Sequence, residues 1–197
     1  MAMEEHGRAM MEAYRKRRRE ERTFGEIMVD EAINQENKLY KEGSKGDDGM
    51  FDCSGLVTWC ANKAWLEFGE KGPLLDRYSN TAKALYTKYN ISSTLIRGDL
   101  QPGDLIFYYD YTLTGTVLTL NKQKIDHVSI YMGNGNMIHA VLEKVSPPSG
   151  KVKINSIDHS WSEGRISYPK LFAGHGRISA MGVTNKVMAF ERYSRYR

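Results

Sequence analysis

DHVSIYMGNGNMIHAV, residues 126–141, is two alternating runs separated by a break of glycine and asparagine, the pattern of a β-hairpin. Its register decides which side chains share a face. A two-residue loop at Asn134–Gly135 pairs Ile130 with His139 and puts His127 and His139 on opposite faces. A three-residue loop at Gly133–Gly135 pairs Met132 with Asn136 and Ser129 with His139. Ile138 then faces the same way as Val128 and Ile130, and Gly135 supplies the left-handed residue that such a loop wants. Keeping the apolar set together selects this second register, because a one-residue slip sends every side chain to the other face. The two imidazoles become diagonal neighbours, about 7–8 Å apart by Cα.

Working outward, LIFYY and KVKINSI are further strand-like runs on either side of this hairpin. The segments before residue 98 read differently. Residues 1–40 carry Met3, Met10, Met11, Tyr14, Phe24, Ile27, Met28 and Ile33 at roughly helical spacing. KEGSKGDDGM, residues 41–50, reads as a loop. Helices are expected over Cys53–Phe68 and over residues 74–90. Helices first and strands after them predict an α+β fold with an antiparallel sheet. The division expected is a basic helical extension over residues 1–37, a core domain over 38–178, and a final strand or helix with a basic tail over 179–197. Arg15, Lys16, Arg17, Arg18 and Arg19 form a basic block, read as a solvated helical face rather than a nucleic-acid contact, since no aromatic residues interleave it.

The chain has 197 residues, 41% hydrophobic and 26% charged, with a net charge of +4. That is ordinary for one globular domain and compatible with an anionic partner. No apolar run approaches membrane-spanning length. The N-terminus lacks the apolar segment of a secretory signal, so the expectation is synthesis in the cytoplasm and action elsewhere after lysis or delivery by a machine, or a leader removed beforehand. The two cysteines, Cys53 and Cys60, lie two helical turns apart, about 10 Å, which is too far for a disulfide. No histidine is near them in sequence, so neither a metal nor a cofactor is expected.

Asp52 is a good N-cap, which places Cys53 in the first turn of a helix. Val57, Cys60, Ala61, Ala64 and Phe68 follow at helical spacing, so Cys53 faces inward on their stripe. The positive end of the helix favours its thiolate, the attacking species in acyl transfer. Ser54 and Gly55 are small and allow close approach. Most free cysteines are buried hydrophobes, and Cys60 reads that way. For Cys53 position alone does not decide, because a base is needed. His127 could take the thiol proton and His139 could fix the tautomer of His127. His6, His159 and His175 read as surface or structural, Asp104 as a turn residue, and Trp59 and Trp161 as core.

FDCSGLV, LQPGDLIFYY and HVSIYMGNGNMIHA, in this order, resemble the NlpC-type cysteine peptidases, a family of papain-like cell-wall endopeptidases. The likeness covers roughly residues 38–178. It implies a papain-like core with the nucleophile helix packed on an antiparallel sheet. It also implies Cys53 as nucleophile, His127 as base and His139 as the orienting residue. Tyr40, thirteen residues before Cys53, is the counterpart of the family's tyrosine near the oxyanion, where Asp52, Ser54 and the Cys53 N–H also lie. This chain departs from the family pattern in YKEGSKGDDG after Tyr40 and in Ser129 within HVSIY. It also departs in DYTLTGTVLTLNKQKID, residues 110–126, read as a hairpin lining the cleft.

The resemblance implies hydrolysis of an amide in peptidoglycan stem peptides, between D-glutamate and the diamino acid, through a thioester on Cys53. The alternatives are a phage-tail or secretion-machine component that binds the wall without cutting it, and an acyltransferase or amidase acting elsewhere. The partner expected is the stem peptide, with no nucleic acid. A protein partner could be met through the N-terminal helix.

Overall fold

The computed structural model describes residues 22–67, 70–145, 148–161 and 166–178. The basic block at 15–19, His6 and the expected tail over 179–197 lie outside them. Helix α1 spans Phe24–Ile33, α2 Cys53–Glu67 and α3 Ala82–Tyr89. Strand β1 covers Asn90–Ser92, β2 Leu105–Thr114, β3 Val117–Gly133, β4 Asn136–Val145 and β5 Pro148–Ser156. A short β6 (Ser160–Trp161) and β7 (Ile166–Ser167) pair with each other, and α4 (Tyr168–Leu171) leads into β8 (Phe172–Gly176). Six strands form one antiparallel sheet in the order β1-β8-β2-β3-β4-β5. No described helix is long and apolar enough to cross a membrane.

The sheet is buried on both faces, and strand alternation sorts the side chains between them. Leu105, Phe107, Val128, Ile130, Ile138, Ala140 and Val152 join the helices in the main core. Their neighbours Ile106, Tyr108, Tyr131 and Met137 point the other way and pack with Tyr168 and Leu171 in a second cluster. Val57, Cys60, Ala61 and Ala64 of α2 are all fully buried in the main core, as their stripe requires.

Two helices differ from the sequence expectation. Helix α1 does not run to residue 40. It ends at Ile33, Asn34–Asn37 turn with Asn37 at positive φ, and Leu39 and Tyr40 make isolated bridges. It begins with a capping box, in which the Thr23 hydroxyl accepts from Glu26 N–H and Glu26 accepts from Thr23 N–H. Although α1 precedes residue 38, in the segment read as an extension, Phe24, Ile27, Met28, Val29 and Ala32 share the core with α2. Gly25 lets α1 close on the turn before β2, since a Cβ there would lie 2.0 Å from Pro102 O. Helix α3 starts at Ala82 rather than residue 74. Asp76 accepts from Tyr78 and Ser79 N–H in a side-chain turn, and Thr81 caps the helix through Ala84 N–H.

The 126–141 hairpin combines the two registers considered. The body pairs Ile130 with Ile138 and Tyr131 with Met137, the register that keeps the apolar set together. The turn nevertheless has two residues, Asn134 and Gly135, at φ of 53° and 75°. A bulge at Met132, between Tyr131↔Met137 and Gly133↔Asn136, absorbs the difference. Residues 110–126 extend β2 and β3 as a long hairpin, with Thr114 paired to Val117 at its tip. Tyr111, Leu113, Leu118 and Leu120 pack on the second cluster.

Candidate active site

The start of α2 is held by the loop before it. Asp52 caps the helix, accepting from Gly55 N–H at 2.5 Å and from Gly43 N–H at 3.0 Å. Lys45 reaches both Asp52 oxygens, at 3.0 and 2.8 Å, and Ser54 Oγ at 2.9 Å. Lys45, Asp52 and Ser54 are all buried. Asp52 and Ser54, expected near the oxyanion or substrate, therefore have their side chains committed to a buried ion-pair cluster that fixes the helix start. Lys45 gave no signal in its glycine- and aspartate-rich loop. Gly55 is required because a Cβ would sit 2.2 Å from Ser44 O, so the close approach is made by the protein's own loop.

Cys53 is half-buried at the first position of α2, with Sγ 3.9 Å from the Asp126 carbonyl oxygen. Burial, and after it the negative charge of Asp52, pushes its thiol up to about 12. The backbone N–H groups of Val128 and Ser54 and the charge of Lys45 pull the other way and are outweighed. Burial thus opposes the pull of the helix start toward thiolate. Tyr40 packs on the same part of the core as Cys53. Burial first, then the charges of Cys53 and Asp52, holds its phenol well above the ordinary value, so it stays protonated and can donate a hydrogen bond at neutral pH.

The two histidines meet. His127 Nε2 lies 2.8 Å from His139 Nδ1. His139 is fully buried, and its Nε2 lies 3.0 Å from Asn155 Oδ1 and 3.4 Å from the Tyr168 hydroxyl. Burial lowers His127 to about 4. Burial, followed by the charge of His127, holds His139 well below the ordinary imidazole value against the opposing Asn155 hydrogen bond. Both rings rest neutral. With Nε2 of His127 engaged, Nδ1 is its remaining nitrogen.

These imidazoles stand on the sheet face opposite α2, among Tyr108 and Tyr168. The thiol lies against the backbone beside His127, where β3 and β4 separate. Pairing between β3 and β4 runs only from Gly133↔Asn136 to Ile130↔Ile138. Beyond it, Ser129, Val128 and His127 remain paired to β2, while His139 and Ala140 remain paired to β5. The backbone of residues 126–128 is left facing the splay, where Cys53 meets Asp126 O and the Val128 N–H.

Other candidates take structural places. Asp104 accepts from Gln101 N–H and from Arg177 Nε at 2.6 Å, while Asp126 pairs with Lys124 at 3.0 Å. Trp59 packs edge-on to Phe51 and donates to Glu31. His175 is buried in β8. His159 lies nearer the site, its ring 6.1 Å from that of Tyr168. Asn155 and Tyr168 escaped the sequence reading. Alternation along KVKINSI gave a weak signal for Asn155, because residues 153 and 155 share the face opposite Val152.

The sequence model of the NlpC/P60 family matches residues 37–167. Among curated proteins, the chain is 27% identical over 174 residues to the gamma-DL-glutamyl hydrolase of Bacillus subtilis, covering 88% of this chain and 35% of that protein. It is 30% identical over 117 residues to the bifunctional muramidase/DL-endopeptidase CwlT of the same organism, covering 59% and 29%. The murein DD-endopeptidase MepH of Escherichia coli is 26% identical over 136 residues, covering 68% and 41%. The chain thus spans less than half the length of each of these relatives. Among solved structures, an NLP/P60-family protein of Staphylococcus aureus, described as similar to a lipoprotein, superposes with a TM-score of 0.51 at 23% identity. That match covers 79% of this chain and 41% of that one, and it bears on the fold. The expected α+β papain-like core is present, the family match extends over well more than half of the chain, and this chain belongs to the NlpC/P60 family.

Proposed function

We propose that this chain is a cysteine peptidase that hydrolyses an amide bond in the peptide stems of peptidoglycan. One observation carries the reading. A half-buried thiol at a helix start faces the strand that bears His127, and His127 is bonded through His139 to Asn155. A nucleophile, a base and an orienting group are what acyl transfer to a thiol needs. The names of the curated relatives, a gamma-DL-glutamyl hydrolase and a DL-endopeptidase among them, support a wall substrate. The bond favoured is that between D-glutamate, through its side-chain carboxyl, and the diamino acid.

In this reading His127 Nδ1 takes the thiol proton as Cys53 Sγ attacks the carbonyl carbon. The Tyr40 hydroxyl and the Cys53 N–H stabilise the oxyanion. His127 then passes the proton to the leaving amine, which departs and leaves a thioester. Water, deprotonated by His127, attacks the thioester and releases the acid, with the thiol regained. His139, neutral and accepting at Nδ1, stabilises the imidazolium formed in each half.

The test is incubation with purified peptidoglycan of several stem compositions, followed by mass spectrometry of the released fragments. New amino termini at the diamino acid are expected, absent with Cys53→Ala. Fragments cut at another amide would replace the bond assignment. Intact peptidoglycan, with Cys53 still open to alkylation, would overturn the wall substrate.

A further inference from the structure

We infer that Asn155 is a positioning residue that sets the tautomers of both histidines and so turns the basic nitrogen of His127 toward Cys53. The inference deepens the proposed reading of the site and rests on it. The argument follows the protons. Asn155 Oδ1 can only accept, and it lies 3.0 Å from His139 Nε2. His139 therefore carries its proton on Nε2, and its Nδ1 presents a lone pair. His127 Nε2, 2.8 Å from that lone pair, must in turn be the protonated nitrogen. Nδ1 of His127 is left as the lone pair, on the one ring nitrogen not committed to His139. One amide oxygen thus fixes the direction of two imidazoles in series.

The opposite polarity is within reach of the same atoms. The Tyr168 hydroxyl stands 3.4 Å from His139 Nε2 and, unlike the Asn155 oxygen, can donate as well as accept. A phenol donating there would hold Nε2 as the lone pair and place the His139 proton on Nδ1. His127 would then accept at Nε2 and carry its proton on Nδ1, where no base is left for the thiol. Asn155 sits on β5, paired across from Met137, while His139 is paired with Lys153. The edge strand therefore aims this amide at a ring on its neighbour. Facing His139 besides Asn155 and Tyr168 are His127 on β3, Lys153 on β5, Glu143 further along β4, and His159.

The experiment is nitrogen-15 NMR of the imidazoles in the full chain, paired with the alkylation rate of Cys53 by iodoacetamide across pH. Neither readout needs a wall substrate, so failure of the peptidase reading leaves this test standing. In the wild type both rings are expected as the Nε2–H tautomer; a His127 proton on Nδ1 overturns the inference. Asn155→Leu should move both rings toward the Nδ1–H form and slow alkylation by roughly ten- to a hundred-fold. Adding Tyr168→Phe should restore part of that loss. A folded Asn155→Leu with unchanged tautomers and rate overturns the inference. Asn155→Asp keeps an acceptor and adds a negative charge, so it should keep the tautomers. It should also move the acid limb of the alkylation profile to higher pH, since the charge makes His139 easier to protonate. An unmoved limb refutes the role.

Discussion

Replacing Lys45 by methionine tests whether the start of α2 is held by charge. Lys45 and Asp52 are both buried, and the ammonium lies within 3.0 Å of both carboxylate oxygens. Methionine keeps most of the volume and removes the cation. Breaking a buried pair by deleting one partner costs about 3–5 kcal/mol, against about 0–1 kcal/mol for a pair in solvent. Asp52 would keep the Gly43 and Gly55 N–H groups and the Ser54 hydroxyl, so the lower end applies. A loss of about 3 kcal/mol in a domain of this size lowers Tm by roughly 6–12 °C. Thermal and urea unfolding at pH 7 read it. The double substitution Lys45→Met with Asp52→Asn removes both charges and should recover most of the loss, giving a coupling of about 2 kcal/mol. A cost under about 1 kcal/mol for Lys45→Met would show that water reaches the pair, and the argument from burial would fail.

Four further outcomes follow from the same geometry. Gly55→Ala places a Cβ 2.2 Å from Ser44 O, a backbone atom that cannot swing aside, and should cost about 2 kcal/mol or more in urea unfolding. Burial lowers His127 to about 4 from an ordinary 6.5, so the unfolded chain binds the extra proton between those values. Its contribution is present above about pH 6.5 and lost as pH falls toward 4, and His127→Gln should flatten that part of the stability profile. Cys53 behaves in the opposite sense: pushed up from 9.0 to about 12, its contribution is complete below pH 9 and lost above it, a loss absent in Cys53→Ala. Tyr40→Phe removes a phenol donor and should lower turnover of a wall substrate by about 10²–10³ while leaving the alkylation of Cys53 intact.

The elements that sequence made legible are those fixed by local rules. The helix start at Cys53 is marked by a side-chain cap, and the hairpin body is dictated by the apolar alternation of Val128, Ile130, Ile138 and Ala140. What escaped depends on distant partners. Lys45 turns inward because Asp52 waits there, and a glycine-rich loop carries no periodicity to say so. Arg177 reaches Asp104 across 73 residues of chain. Helix α1 joins the core because Gly25 lets it close on the Pro102–Gly103 turn, a contact of no local pattern. The start of α3 at Ala82 was locally readable, since Ser79-Asn80-Thr81 is a capping signal that outweighs the apolar residues before it. Apolar patterning put both histidines on the face away from α2, and no local pattern says how a helix-borne thiol comes near that strand. The early end of the β3–β4 ladder leaves the backbone beside His127 open to that thiol.

That gap bears on how the thiol is activated. Taken singly, a thiol that burial pushes up and an imidazole that burial pushes down make proton transfer from Cys53 to His127 uphill. Attraction between the thiolate and imidazolium so formed returns about 4 kcal/mol at contact in an effective dielectric of 20. In the proposed mechanism the remainder comes from charge that exists only during reaction: the oxyanion held by Tyr40 and the Cys53 N–H, and the imidazolium held by His139. On the proposed scheme deprotonation and attack would be one event, and the free thiol should be a poor nucleophile for a reagent that offers no oxyanion. Iodoacetamide should modify Cys53 slowly at pH 7 and faster as pH rises toward 12. His127→Ala should leave even less reactivity at neutral pH, because the thiolate loses its counter-charge. Rapid alkylation at pH 7 that survives His127→Ala would mean that the helix start alone holds a thiolate, and the concerted scheme would be wrong.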